Sequence, residues 1–258
     1  MRYLLVIAFT TIFLTLSTKS YSWSKKGHEL VAEIAFHFLD DSLKARVQHY
    51  LGKETIEEAS VWMDEMRSNS YYDYMKTWHY INIEKGESYK PSAKDRDIII
   101  ILNSCIHELN HKENLKSKNI SEDLNLLFHL MGDLHQPLHV GYGIDRGGND
   151  THLSYLHKSF TTNLHSVWDD EIIETKNITL EDCLKHYNDY TSDEINDIQK
   201  IDLMNWMKQS RSLLDTVYNF ENNFIDQNYV DTNSIIIEKQ ILKAGLRLAA
   251  ILKQDFKD

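Results

Sequence analysis

Between Leu124 and His139 the chain sets Leu124, Leu127, Leu130 and Leu134 at three- and four-residue intervals, the repeat of an amphipathic helix. His129 and Asp133, four residues apart, share a face otherwise embedded in these leucines. A buried imidazole and a buried carboxylate are costly without partners, so a metal ion or a dense hydrogen-bond network must meet them. Pro137 disfavours helix at the residue before it, which ends the helix and turns His139 to a second position.

The rest of the chain reads as helix after helix. Leu30-Val31-Ile34-Phe38, Val61-Met63-Met66 and Leu213-Leu214-Val217-Phe220 repeat the helical spacing, and Pro91 and Pro137 are the only prolines. Thr179 to Asp182 carries a capping-box start signal, and the C-terminal third, with Trp206 and Tyr218, completes the bundle. Five of the nine glycines fall between Gly132 and Gly148, marking an irregular loop, and Thr151 to Phe160 alternates loosely enough for a hairpin. The expectation is an all-α, single-domain helical bundle with a Gly-rich loop and a small β-hairpin near 141–163. No repeat or linker divides it, and a hydrophobic fraction of 42% is ample for its core.

Residues 1–22 read as a signal peptide: Arg2, an apolar run from Tyr3 to Leu16, then Ser20-Tyr21-Ser22 as a cleavage signal. The apolar run is shorter than the roughly 20 residues of a spanning helix. The expectation is a secreted or periplasmic domain over residues 23–258, starting at Trp23, with no stable membrane association and no obligate protein partner. Loss of Arg2 and Lys19 takes Lys+Arg from 28 to 26 against 39 acids, a formal charge of −13. Such a chain does not track a phosphate backbone with a basic face; bound divalent cations would have to attract any nucleic acid. Cys105 and Cys183, the only cysteines, exclude a four-thiolate zinc site, so zinc would need nitrogen and oxygen ligands; whether the two form a disulfide stays open.

A second His/Asp pair, His165 and Asp169, repeats the four-residue spacing. Around the two pairs stand Trp23-Ser24-Lys25-Lys26-Gly27-His28, Trp62-Met63-Asp64, Trp78-His79-Tyr80-Ile81-Asn82, Gly147-Gly148-Asn149 and Asn163-Leu164-His165-Ser166-Val167-Trp168-Asp169. In order and spacing these motifs resemble the S1/P1 family of zinc-dependent nucleases, from Trp23 to the C-terminal helices. The resemblance implies the phospholipase C/P1 nuclease type of bundle and three zinc ions per chain. The first would be held by Asp64, His79, His129 and Asp133; the second by His139, His165 and Asp169. The third would take the free amine and carbonyl of Trp23, His28 and a bridging Asp133, and so requires cleavage before Trp23. Gly27 is expected to let the chain turn tightly between Trp23 and His28.

The implied activity is cleavage of single-stranded DNA and RNA to 5′-phosphate products by a zinc-bound hydroxide, with 3′-nucleotidase action on nucleotides; zinc lowers the pKa of bound water to about 7. Asp64 would orient or deprotonate that water and Arg67 would neutralise developing charge. Tyr80 would stack an unpaired base and Asn82 hydrogen-bond it; many family members carry aspartate at Asn82, which leaves base preference open. Asn149 offers a further contact or a turn role beside Gly147 and Gly148. A zinc-dependent phospholipase C, or a non-catalytic exported zinc-binding protein, is the alternative. His135 is given no ligand role and at most orients one; His37, His49, His107, His111, His152, His157 and His186 match no ligand position.

Overall fold

The computed structural model describes Trp23, residues 25–92, Lys94 and residues 96–257; the expected signal peptide, 1–22, lies outside the described residues. The architecture is mostly helical, as expected. Helices α1 (Lys25–His37), α2 (Asp41–Leu51), α3 (Ile56–Met66), α4 (Ile98–Asn110) and α5 (Ser117–His135) come first. Short helices α6 (Leu164–Ser166), α7 (Ile172–Lys176), α8 (Leu180–Leu184), α9 (Ser192–Gln199), α10 (Leu203–Arg211) and α11 (Leu214–Val217) lead to the long α12 (Gln227–Phe256). Helix α5 is the axis: α1, α3, α4 and α12 pack around it, and α12 also lies along α1. Residues 127–135 of α5 are all buried, leucines and polar groups alike. Among the described residues, no helix is long and apolar enough to cross a membrane.

Starts follow local chemistry. Thr55 with Glu58 and Thr179 with Asp182 form reciprocal capping boxes, satisfying otherwise orphaned N–H groups at α3 and α8. Helix α5 ends at His135; Pro137 opens a 3-10 turn, Pro137–Val140, that carries His139 away from the helix axis.

Two expectations need correction, and the expected hairpin is present with an added strand. The Leu213 to Phe220 pattern yields only Leu214–Val217 as helix, because Tyr218 leaves it and its hydroxyl donates to Asp145 Oδ2 at 2.8 Å, a tertiary contact that overrides the spacing. The hairpin is present, β1 (His152–Tyr155) antiparallel to β2 (Thr161–Asn163), but β3 (Phe224–Ile225) adds a parallel third strand too short to show alternation. Gly27 is not in a turn: it lies inside α1, where a Cβ would meet Trp23 Cβ at 3.0 Å, so its smallness admits the indole rather than bending the chain. Cys105 and Cys183 are both buried and free, on α4 and α8.

Candidate metal centre

The ligand candidates arrive on several different elements. Helix α1 brings His28, α3 Asp64, α5 His129 and Asp133, and the 3-10 turn His139. His79 begins a stretch in which His79, Ile81 and Ile83 are buried while Tyr80 and Asn82 are exposed, the two-residue alternation of extended chain. Ile81 N–H donates to His139 O at 2.8 Å and Ile83 N–H to Gly141 O at 3.0 Å, tying that stretch to the turn. His165 sits in α6 and Asp169 in the following π turn, Val167–Glu171, closed by Ile172 N–H on Val167 O. The wider turn keeps the pair on one side, with His165 Nε2 3.1 Å from Asp169 Oδ2.

Eight of the nine expected ligand residues bring possible ligand atoms together. His129 Nε2 faces His79 Nδ1 at 3.1 Å, and both face Asp133 Oδ2, at 3.4 and 3.0 Å. His139 Nε2 faces His165 Nε2 at 3.2 Å, with Asp169 Oδ1 3.8 Å from His139. His28, fully buried, stacks on His129 with ring centroids 4.0 Å apart and lies 3.4 Å from Asp133 Oδ1. Asp64 Oδ1 is 3.8 Å from His129 Nε2 and 3.0 Å from Arg67 Nε. Possible ligand atoms form three groups: His28 with Asp64 and His129, His79 with His129 and Asp133, and His139 with His165 and Asp169. Trp23 is buried against this cluster, its indole N–H donating to Gly132 O at 2.7 Å.

These groups fit a divalent metal. Ligands at about 2.0–2.1 Å around a tetrahedral ion stand about 3.3 Å apart, close to the imidazole separations here. Nδ1 of His129, His139 and His165 lies 2.8, 2.7 and 2.6 Å from the carbonyls of Ser60, His79 and Gly147. A carbonyl only accepts, so each Nδ1 carries the proton and each Nε2 turns a lone pair inward. Asp133 Oδ1 and Asp169 Oδ2 are buried and accept no hydrogen bond.

Burial moves the pKa of His28 well below the ordinary histidine value, that of His79 down to about 4, and that of His139 down as well. Burial opposes charge on His129 and His165 too, but Asp133 and Asp64 beside the first, and Asp169 beside the second, raise their pKa. Burial would raise Asp133, yet His129 and His139 hold its carboxyl well below the usual range.

A cleft of about 370 Å³ opens onto the cluster, its walls including His79, His139, His165, Arg67, Tyr80, Asn82 and Asn149. Asn149 Nδ2 donates to Arg146 O at 2.9 Å, which favours the turn role. Sequence reasoning missed Lys76 and Arg146, cations that also line this cleft. It missed Gln136 as well, whose Nε2 donates to Asp169 Oδ1 at 2.6 Å, and Arg211, whose guanidinium donates to the carbonyls of Ile83, Val140 and Gly141. Position inside the His129–His139 segment was a signal for Gln136; Arg211, from α10, carried none. His135 orients no ligand: its ring bonds Met131 O and Arg247 Nη1, both at 2.7 Å.

A helical bundle closes around convergent histidines and aspartates that could hold metal ions, with a cation-rimmed cleft above them. A family model described as S1/P1 Nuclease matches residues 23–257; the chain belongs to that family and is a nuclease, a hydrolase acting on the phosphodiester bonds of nucleic acids. It is similar to Endonuclease 1 of Arabidopsis thaliana, 30% identical over 296 residues that cover 98% of this chain and 93% of that protein. Nuclease S1 of Aspergillus oryzae is 28% identical over 273 residues, 93% of each chain, and Nuclease P1 of Penicillium citrinum 27% over 157 residues, 57% of each.

Proposed function

We propose that the protein is an exported, zinc-dependent nuclease that cleaves single-stranded DNA and RNA to 5′-phosphate products and removes 3′-phosphates from nucleotides. The observation that carries this reading is the convergence of His28, Asp64, His79, His129, Asp133, His139, His165 and Asp169, of which His79, His139 and His165 line a cleft that also exposes Tyr80. Three zinc ions held there, the third completed by the Trp23 amine after cleavage at Ser22, would acidify a water and neutralise phosphoryl charge.

The chain's own residues do the rest. Asp64, oriented by Arg67, accepts the proton of the attacking water, and the Arg67 guanidinium neutralises charge on the phosphoryl oxygens. Tyr80, 39% exposed, stacks an unpaired base, and Asn82 on the same side of the extended segment hydrogen-bonds its edge. Lys76 and Arg146, both largely exposed, draw a polyanion towards an otherwise acidic molecule. A stacked base must be unpaired, which favours single strands.

The test is cleavage of single-stranded DNA and RNA before and after chelation, with zinc restored, using chain processed to Trp23 and a version with Met before Trp23. Zinc-restored cleavage that collapses in the Met version supports the reading. Zinc binding without cleavage of either polymer, or turnover of short-chain lecithin instead, overturns it.

A further inference from the structure

A second cavity, of about 520 Å³, lies between segment 216–226, which runs from α11 to just past β3, and the first turns of α12. It shares no wall residue with the cleft over the metal cluster. Tyr229 and Asn233 are its buried members, and Phe224, 40% exposed, offers an open ring face beside them. The frame is held on both sides. Strand β3, which carries Phe224, is tied to β1 by Ser154 N–H on Asn223 O at 2.9 Å and Leu156 N–H on Ile225 O at 2.8 Å. The Tyr229 hydroxyl donates to Val217 O at 2.5 Å and accepts from Trp168 Nε1 at 2.7 Å, and its ring meets Phe220 edge-on with centroids 6.2 Å apart.

Asn233 is the group that calls for a ligand. It is 2% exposed, and its Nδ2 donates to the Tyr229 carbonyl, one helical turn earlier, at 2.8 Å. A carbonyl only accepts, so the amide cannot be turned over, and Oδ1, directed away from that carbonyl, has no hydrogen-bond partner. A buried acceptor left unpaired is costly, and in a cavity wall it is matched by a ligand that donates. Asn219, Asn222 and Asn228 add three more amides, each a donor and an acceptor.

Charge narrows the class of ligand. Among the described residues the walls carry the carboxylates of Glu221 and Asp226 and no lysine, arginine or histidine. Lys176 reaches this end of α12, but it is bonded at 3.0 Å to Asp231, which does not line the cavity. A phosphate or other anion is therefore disfavoured. A metal ion is not favoured either: Asp226 Oδ1 accepts from Tyr229 N–H at 2.8 Å as the cap of α12, and the three residue groups that could hold an ion all lie elsewhere among the described residues.

We propose that this cavity binds a neutral sugar, with one face of the pyranose ring on Phe224, hydroxyls among the asparagine amides, and one hydroxyl donating to Asn233 Oδ1. A hydroxyl both donates and accepts, as an amide does, and the C–H face of a pyranose packs on an aromatic ring. The volume falls within the range of small-molecule sites. The site stands on its own groups and does not depend on the nuclease reading.

Calorimetric titration of the zinc-loaded, full-length mature protein with cellobiose, maltose, lactose and N,N′-diacetylchitobiose tests it. At least one of the four is expected to bind at one site per chain. The Phe224→Ala and Asn228→Ala variants, both at exposed positions, should weaken that binding about tenfold and about fivefold. The rate of cleavage of a single-stranded oligonucleotide should stay unchanged in both variants. No binding of any of the four at millimolar concentration, or binding indifferent to both variants, overturns the proposal. Spermidine, calcium or 5′-AMP binding more tightly than every sugar, with sensitivity to the same two variants, overturns it as well. Absence of cleavage by every form would count against the nuclease reading and leave this titration standing.

Discussion

Gly132→Ala sets local propensity against packing. Inside α5 an alanine is worth about 1 kcal/mol more than a glycine, so by helix preference alone the variant should be the more stable one. Its Cβ, however, would lie 2.6 Å from His28 Nδ1 and 2.9 Å from His28 Cε1, where ordinary contact begins at 3.4 Å. The overlap of about 0.8 Å has no easy relief. His28 is fully buried, stacked at 4.0 Å on His129 and held against Asp133, while Trp23 Cδ1 stands 3.5 Å away on the other side. Overpacking of this kind costs about 1–3 kcal/mol, which cancels or exceeds the helical gain, and displacing His28 also removes a proposed ligand. The expected result is a melting temperature lowered by up to about 8 °C, at about 2–4 °C per kcal/mol of the net cost of about 0–2 kcal/mol, with zinc content and cleavage reduced together. Gly245→Ala is the control: its Cβ would overlap Ile34 where α12 meets α1, so it should lower the melting temperature and leave zinc content intact. A Gly132→Ala protein that melts at or above the parent temperature with full zinc would falsify the packing argument.

Gln136→Ala removes the hydrogen bond that holds Asp169 and should cost about 10- to 100-fold in zinc affinity at the His139, His165 and Asp169 group, read by competition with a chelator; an unchanged affinity would show that Asp169 needs no such support. Arg67→Ala should lower kcat by about 10²–10³-fold while metal analysis shows the same zinc content; a proportional loss of zinc would mean that Arg67 serves only to hold Asp64. Burial pushes the Asp123 carboxyl up to about 7 from its ordinary 3.8, with Glu108 adding to the shift. Its folded pKa exceeds the unfolded one, so its contribution to stability is complete below about pH 3.8 and is lost as pH rises through about 7. Asp123→Asn should therefore gain melting temperature relative to the parent between about pH 4 and pH 8, and a difference that stays flat across that range would contradict this.

The helical class and the pairs His129/Asp133 and His165/Asp169 were legible because they rest on short-range spacing, whereas the full ligand set came only from the resemblance to the S1/P1 family. His129 and Asp133 share a turn of α5, and leucines around them declare that the turn is buried. What stayed hidden acts through backbone or across long separations. The carbonyls of Ser60, His79 and Gly147 fix three imidazoles, but every residue has a carbonyl, so no residue type advertises that role. His135 looks like its neighbours in the motif, yet its partner Arg247 comes from α12, 112 residues later. The π turn under Asp169 preserves a four-residue spacing that an α-helix would explain equally well. Gly27 read as a turn residue because sequence shows that a side chain is missing, not whether dihedral freedom or close approach is the reason.

On the proposed reading, the backbone hydrogen bonds between this stretch and the 3-10 turn account for metal and substrate roles lying side by side on one short segment. His79 turns inward to the cluster and Tyr80 and Asn82 outward to the cleft, so ligand and base contacts differ by one step of extended chain. That segment is fixed at both ends of its reach: His139 Nδ1 donates to the His79 carbonyl, Ile81 N–H returns the bond to His139 O, and Arg211 draws Ile83 O together with Val140 O and Gly141 O. Two proposed ligands from different groups, His79 and His139, are thereby coupled through backbone. Any ion that sets one of them also sets the height of the Tyr80 ring above the cluster. A sequence-tolerant stacking contact can then position a phosphodiester accurately, because the tolerance lies in the base and the precision in the backbone beneath it.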